Sequence, residues 1–444
     1  MSDTEEIVEN SSFIARWKAW VVDHHNDVTE ARLATTSDFF AVITVASLPW
    51  STTITSIFSA LWVLSVGLRL RPEDLRTTIR RTSSALPIAL FALALAGTLW
   101  AADISWVDRL RGVNPTAKFL MMPALMYYFQ RSSRRIWVLG AFLASCSALM
   151  IFSWITVFVP NLTSTASLQP GVPVKNYIDQ SQSFALCAIV LAWPILQSFK
   201  SRRIGLGLFL LGLSLAFLAN LALVVVARTA LIYTPIMMVL FGIYYLPRSI
   251  FYSASAIFMS LIGIAWFASP NLQNKSHSIL VEYSKFVTGG EVTSVGLRLE
   301  YWRKSISFFV GAPVLGHGTG SVQRLFDRAA QGQTGISRET ISNPHNQTLN
   351  VAVQWGCIGC IILYAMWIGH LRLFREPDFY SWLGFIIVIQ NMVSSLFNSH
   401  LFDFVPGWIY VIGVSLAAGQ LLRQEDKLCE KRLPIGEILP PPRA

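Results

Sequence analysis

Three positions in this chain carry side chains that could do chemistry in otherwise apolar surroundings. Arg228 sits in VVVARTALIYTP, between two apolar runs with almost no loop. Arg298 sits in SVGLRLEYWRKS, followed by Arg303 and Lys304. His345 sits in NPHNQTLNVAVQWGCIGCIILY, where the longest hydrophilic segment turns back into an apolar one. A guanidinium grips phosphate oxygens through two parallel hydrogen bonds and keeps its charge at any working pH. An imidazole titrates near neutrality, so it can take the proton of an attacking hydroxyl. Each residue alone also has an ordinary structural use. Arg228 could snorkel to lipid headgroups, Arg298 could belong to an amphipathic surface helix, and His345 could be a satisfied structural histidine.

The elements that must position them are apolar helices. Of 444 residues, 53% are hydrophobic and 14% charged, against about 25% charged in globular domains. Runs of roughly 20 apolar residues, enough to cross a bilayer, recur along nearly the whole length. The fold class expected is all-α, a polytopic integral membrane protein forming one embedded domain. Twelve spans are expected, over 35–49, 52–68, 85–100, 114–129, 136–157, 181–198, 204–226, 229–246, 250–268, 347–368, 380–397 and 403–421. Membrane lipids are therefore partners. The formal charge of +10 falls in short clusters between these runs, which encodes topology and argues against a nucleic-acid partner.

An even number of spans puts both termini on one side. Arg69, Arg71, Arg76, Arg80, Arg81, Arg131, Arg134, Arg135, Lys200, Arg202, Arg203, Arg248, Arg372 and Arg375 occupy the loops of that side, against Arg109, Arg111 and Lys175 in the short loops opposite. Fourteen against three makes the termini cytoplasmic. The expected order is a cytoplasmic segment 1–34, nine spans over 35–268, an outer loop domain over 269–346, three spans over 347–421, and a cytoplasmic tail over 422–444. The first segment carries an interfacial helix through Phe13, Ile14, Trp17, Trp20 and Val21, and no cleavable signal is expected. The proline-rich tail is expected to be disordered. Arg228, Arg298 and His345 then share the outer face, the periplasmic one in a Gram-negative cell.

The outer loop has helical apolar spacing over 278–287, 296–309 and 322–330, with Arg298 and Trp302 on one side of the second helix. The glycine-dense stretch Gly311–Gly320 follows no strand, so it reads as a tight turn rather than a phosphate cradle. His317 and His400 read as structural. Glu300, Asp327 and Asp403 could orient groups or act as an alternative base. No group of acids and histidines has metal-ligand spacing on this face. Cys146, Cys187, Cys357 and Cys360 lie in apolar segments and Cys429 in the charged tail, so no disulfide framework follows.

The run His345-Asn346, nine residues, Gly356-x-x-Gly359 resembles the signature of the O-antigen ligase family. Gly-Leu-Arg298-x-x-x-Trp302 ahead of Ala312-Pro-x-Leu-Gly316-x-Gly318, with an arginine at the start of a middle helix, reproduces that family's spacing. The likeness runs from about residue 205 to 420, and the first 200 residues match in hydropathy alone. It implies a GT-C-like glycosyltransferase of the bacterial inner membrane with a long helical periplasmic loop. The implied donor is a glycan on undecaprenyl diphosphate and the implied acceptor a lipid A-core sugar. The implied reaction is inverting, independent of metal, and without a cofactor. His345 would be the catalytic base, Arg228 and Arg298 would bind the diphosphate, and Asn346, Trp302 and Arg303 would support them. The alternatives are an O-antigen or exopolysaccharide polymerase of the same superfamily, whose acceptor is itself a lipid-linked repeat, and a protein O-oligosaccharyltransferase acting on protein hydroxyls. A glycan transporter would need polar residues along its spans, whereas these spans are apolar through their centres.

Overall fold

The computed structural model describes residues 29–159, 162, 170–225, 227–289 and 292–432. The expected interfacial helix at Phe13 to Val21 lies outside them. The described residues form helices α1 (29–47), α2 (Thr52–Gly67), α3 (Pro72–Arg80), α4 (Thr82–Ala96), α5 (Trp106–Ala117), α6 (Met122–Arg131), α7 (Arg135–Phe158), α8 (Tyr177–Val190) and α9 (Ala192–Lys200). They continue as α10 (Ile204–Leu223), α11 (Ala230–Tyr245), α12 (Arg248–Ala268), α13 (Pro270–Gly289), α14 (Ser294–Gly311), α15 (Ser321–Ala330), α16 (Gln347–Leu373), α17 (Phe379–Ser394) and α18 (Phe404–Arg432).

Among the described residues six stretches are long and apolar enough to cross a membrane, or seven if the sharply bent pair α2–α3 is one span. The helices α4, α11 and α17 are shorter and apolar. The described residues are thus those of an all-helical, multi-pass membrane protein. Its lipid-facing rim exposes what a soluble protein would bury: Ile257, Met259, Ile264 and Phe267 on α12, and Leu206, Leu208 and Phe209 on α10. The centre is built from α6, α16, α17 and α18, where Phe129, Trp355, Trp382 and Tyr410 are fully buried. In lipid these helices associate through close packing rather than exclusion of water.

The structure departs from the expected spans in three places. Residues 114–129 are not one helix: prolines at 115 and 123 remove N–H donors, and α5 and α6 are separated by a short 3-10 turn over Lys118–Met121. At the C-terminus α18 runs on to Arg432, so the first residues of the expected disordered tail are helical; residues 433–444 lie outside the description. The third departure shapes the site. Gly356 breaks α16 with φ 61° and ψ −155°, a conformation open essentially to glycine.

The break folds α16 back on itself. Thr348 Oγ1 and Tyr364 Oη are 2.9 Å apart although sixteen residues separate them, a separation of about 24 Å in a straight helix. The Cys360 thiol likewise reaches the Thr348 carbonyl at 3.8 Å. The expected span 347–368 is therefore two arms, 347–355 and 357–373, with Gly356 at the apex. The loop after α14 supplies the missing backbone bonds. His317 N–H donates to Val353 O at 2.9 Å and Gly318 N–H to Gln354 O at 2.9 Å. On the far side of the break Cys357 N–H donates to Pro313 O at 2.8 Å. Buried backbone groups demand such partners inside a membrane protein. A Cβ on Gly356 would collide with the Pro313 and Val314 carbonyls, so the glycine signature is explained by close backbone approach.

The helices α13, α14 and α15 form a cap over this end of the bundle. Tyr301, Val322, Phe326 and Val353 make a small core that ties α14 and α15 to the first arm of α16.

Candidate active site

His345 lies just ahead of the first arm, with φ at 54°, a left-handed conformation that histidine tolerates better than most residues. Its backbone N–H donates to Asn343 Oδ1 at 2.9 Å. Its ring Nδ1 is 2.9 Å from Asn398 Oδ1. The Asn398 amide nitrogen donates to Asp403 Oδ2 at 2.8 Å, and its oxygen also accepts from Asn343 Nδ2 at 3.1 Å. The His345 backbone N–H can only donate, which makes Asn343 Oδ1 its acceptor and Asn343 Nδ2 the donor to Asn398 Oδ1; the Asn398 amide thus has one sensible orientation and His345 Nδ1 must carry the proton. Among the described residues nothing hydrogen-bonds to Nε2, so its lone pair is left for other work.

This arrangement is braced from both sides. Ser399 Oγ donates to Asn343 Oδ1 at 2.8 Å and accepts from Asn350 Nδ2 at 2.9 Å. Gln354 Nε2 donates to Asn350 Oδ1 at 2.7 Å, and Gly320 N–H donates to Gln354 Oε1 at 2.8 Å. An unbroken polar chain thus joins the glycine turn to the imidazole. Beneath it the Lys118 amine donates to the Asp403 carbonyl at 2.6 Å and the Phe402 carbonyl at 3.3 Å. Buried His400 meets Asp403 Oδ2 at 3.0 Å through Nδ1, so its role is structural, as is that of His317, whose Nε2 lies 2.8 Å from the Phe308 carbonyl. The Tyr301 ring lies 6.2 Å from the His345 ring. Burial holds the His345 pKa below its ordinary value; the bond to Asn398 opposes this and the charge of Arg298 adds to it. The ring is neutral at pH 7 and basic at Nε2.

Arg298 is half-buried on α14 and makes no hydrogen bond or ion pair among the described residues. Burial and the charge of Arg228 hold its pKa below the ordinary arginine value, while Tyr177 and Glu282 oppose them. It is thus within electrostatic reach of both Arg228 and His345, and the fold gathers all three into one region.

Arg228, by contrast, is engaged. Its Nη2 lies 2.5 Å from Glu282 Oε1 and 2.7 Å from Ser278 Oγ, and its Nη1 lies 3.4 Å from Glu282 Oε2. The first-turn amides of α11, which could otherwise face an anion beside Arg228, bond back to Ala227 and Thr229. The first turn of α14 takes that role: Ser294 Oγ donates to Glu282 Oε2 at 2.6 Å and Val295 N–H at 3.2 Å.

The remaining residues separate by function. Asn346 caps α16 by accepting from Leu349 N–H at 3.0 Å, and its amide donates to Leu396 O at 3.0 Å, so it anchors the segment that carries His345. Trp302 buries its indole N–H without a partner among the described residues. Arg303 forms two 2.7 Å bonds to Glu300 within α14 and makes no hydrogen bond to His345 or Arg298 among the described residues. Among those residues no three of His, Cys, Asp and Glu come together as a metal site.

Reading the sequence did not bring out Glu282 or Asn398. Glu282 is the one acid of α13, and Asn398 stands in the polar run NSHLFDF ahead of the last apolar stretch. Those are weak signals, since the partners lie far away in the chain.

A family model described as O-antigen ligase matches residues 213–364, about a third of the chain, and supports placing the protein in that family. The matched stretch contains Arg228, Arg298, Trp302, Arg303, His345 and Asn346, and it ends at Tyr364, where the second arm of α16 meets the first. No curated protein gives a significant match.

Proposed function

We propose that this protein is an O-antigen ligase that transfers a polysaccharide from undecaprenyl diphosphate to a hydroxyl of a lipid A-core sugar. The observation that carries the reading is the neutral His345, its Nδ1 committed to Asn398 and its Nε2 unbonded among the described residues, within electrostatic reach of the Arg298 guanidinium, which has no partner among those residues either. The acceptor hydroxyl gives its proton to Nε2 as its oxygen attacks the anomeric carbon. The glycosidic bond to phosphate breaks on the opposite face, which inverts the configuration. The electron pair leaves with the diphosphate, and its charge is met by Arg298 and Arg228. This needs neither a metal nor a cofactor. A general base of this kind contributes about a hundred- to ten-thousand-fold. The indole N–H of Trp302 suits a sugar hydroxyl beside the same helix face.

The proposed setting is the inner membrane, with the site facing the periplasm and both termini in the cytoplasm, from the loop charges above. A polyprenyl chain stays in the bilayer, so the donor enters sideways between helices.

The test is transfer by purified protein given lipid-linked glycan and lipid A-core acceptor, together with the lipopolysaccharide of a deletion strain. Core lacking O-antigen, with polymerised glycan still on the carrier, is the expected result. Core capped by a single repeat would instead identify a polymerase built on the same site.

A further inference from the structure

Glu282 is held by an unusual set of donors for a surface carboxylate. Two nitrogens of the Arg228 guanidinium, the Ser294 hydroxyl and the Val295 amide all point at it. A guanidinium fork, a hydroxyl and an amide in the first turn of a helix are the groups that bind phosphate oxygens. A carboxylate is the side chain best able to stand in for one. We propose that Glu282 is an exchangeable occupant of the diphosphate site, which holds Arg228 and the start of α14 in place until the donor's phosphate displaces it. The proposal rests on the diphosphate reading given above and adds an internal competitor to it.

Three observations support exchange over a permanent bond. The pair is accessible: the Arg228 side chain is 25% exposed and that of Glu282 21%, whereas Glu300, in the other bidentate pair of the cap, is 7% exposed. The helix that carries Glu282 is lightly held, with Leu272 buried but Leu280, Tyr283 and Val287 exposed. The charges are also unbalanced. One carboxylate faces Arg228 while Arg298 stays unpaired among the described residues, so a diphosphate with two or more negative charges can satisfy both arginines where Glu282 satisfies one. Burial pushes the Glu282 pKa up, but the bonds from Arg228, Ser294 and Val295 outweigh it and hold the group below its ordinary value. It is ionised at neutral pH and competes as an anion.

Binding of undecaprenyl diphosphate to the purified full chain in detergent micelles tests this, comparing wild type with Glu282→Gln, Glu282→Ala, Arg228→Ala and Arg298→Ala. If the carboxylate fills the site nine-tenths of the time, its removal should tighten binding by about tenfold. Hydrogen exchange of the unaltered protein is the second readout and does not depend on the variants folding. Addition of undecaprenyl diphosphate should speed exchange over 278–289 as α13 loses its anchor. Unchanged or weaker binding by both Glu282 variants, with binding lost in Arg228→Ala, would make Glu282 a fixed part of the site and overturn the exchange while leaving the diphosphate site standing. Wild-type binding by both arginine variants would overturn the diphosphate reading itself, and the exchange with it.

Discussion

The two flanks of the site are built in opposite ways. On one side His345, Asn398, Asn343, Ser399 and Asn350 form a network of neutral amides, a hydroxyl and an imidazole, with Asn350 and Ser399 buried, the other three half-buried, and one consistent set of donors and acceptors. On the other side Arg228, Glu282 and Ser294 form a partly exposed charge pair between the α10–α11 junction and the cap. The first arrangement resists motion, because its bonds are interlocked and breaking those of Asn350 and Ser399 strands buried polar groups at about 1–3 kcal/mol each. The second exchanges readily, because solvent and a competing anion can replace each partner. A base must hold its direction through the reaction, whereas a leaving-group site must accept and then release an anion. The rigid flank suits the one and the exchangeable flank the other.

The largest effect should come from the rigid flank. His345→Ala should reduce transfer by at least about a hundredfold while leaving donor affinity within about twofold, since the imidazole acts on the acceptor proton. Turnover and donor binding of the purified variant check this; activity within a few-fold of wild type would remove His345 from the mechanism.

On the exchangeable flank, Arg228→Lys and Arg298→Lys keep the charge and lose the planar fork. Each should weaken both donor binding and transfer by about tenfold, roughly 1.4 kcal/mol. The double variant should fall short of the product of the two, because both arms serve one ligand. Near-wild-type rates for both would return these arginines to lipid headgroups.

Asn398→Ala separates positioning from packing. It should lower kcat by several-fold and leave KM unchanged. Because the Nδ1 bond favours the charged ring, its loss lowers the His345 pKa further. Wild-type activity should fall as the pH drops through a value below 6.5, the ordinary histidine pKa, and in the variant this acid limb should move to still lower pH. A pH profile checks it, and an unmoved limb would leave Asn398 a packing residue.

The smallest effect should be that of Arg303→Ala. Its pair with Glu300 is a local one with the arginine 68% exposed, so transfer should stay within about twofold and stability should fall by at most about 1 kcal/mol. Thermal unfolding and the transfer rate together test whether Arg303 belongs to either flank.

Much of this was legible in the chain. Apolar length and charge placement predict a helical membrane protein with one polar end, because the cost of burying polar groups in lipid acts residue by residue. Arg228, Arg298 and His345 could be picked out for the same reason: each is an expensive side chain against an apolar background. Gly356 was visible as part of a signature, but not as the apex of a folded-back helix, since the bonds that permit the break come from residues 313 to 318. Arg303 was expected to support the site, and only packing showed Glu300 holding it.

What the sequence by itself determined is the solvent this protein lives in and the kinds of side chain at its polar end, since both follow from composition and local spacing. What the tertiary structure alone decided is which nitrogen of His345 is free and which anion Arg228 holds. Those depend on Asn398 and Glu282, each more than fifty residues from its partner in sequence. No local preference of the chain can specify a hydrogen bond whose two ends meet only when the helices pack.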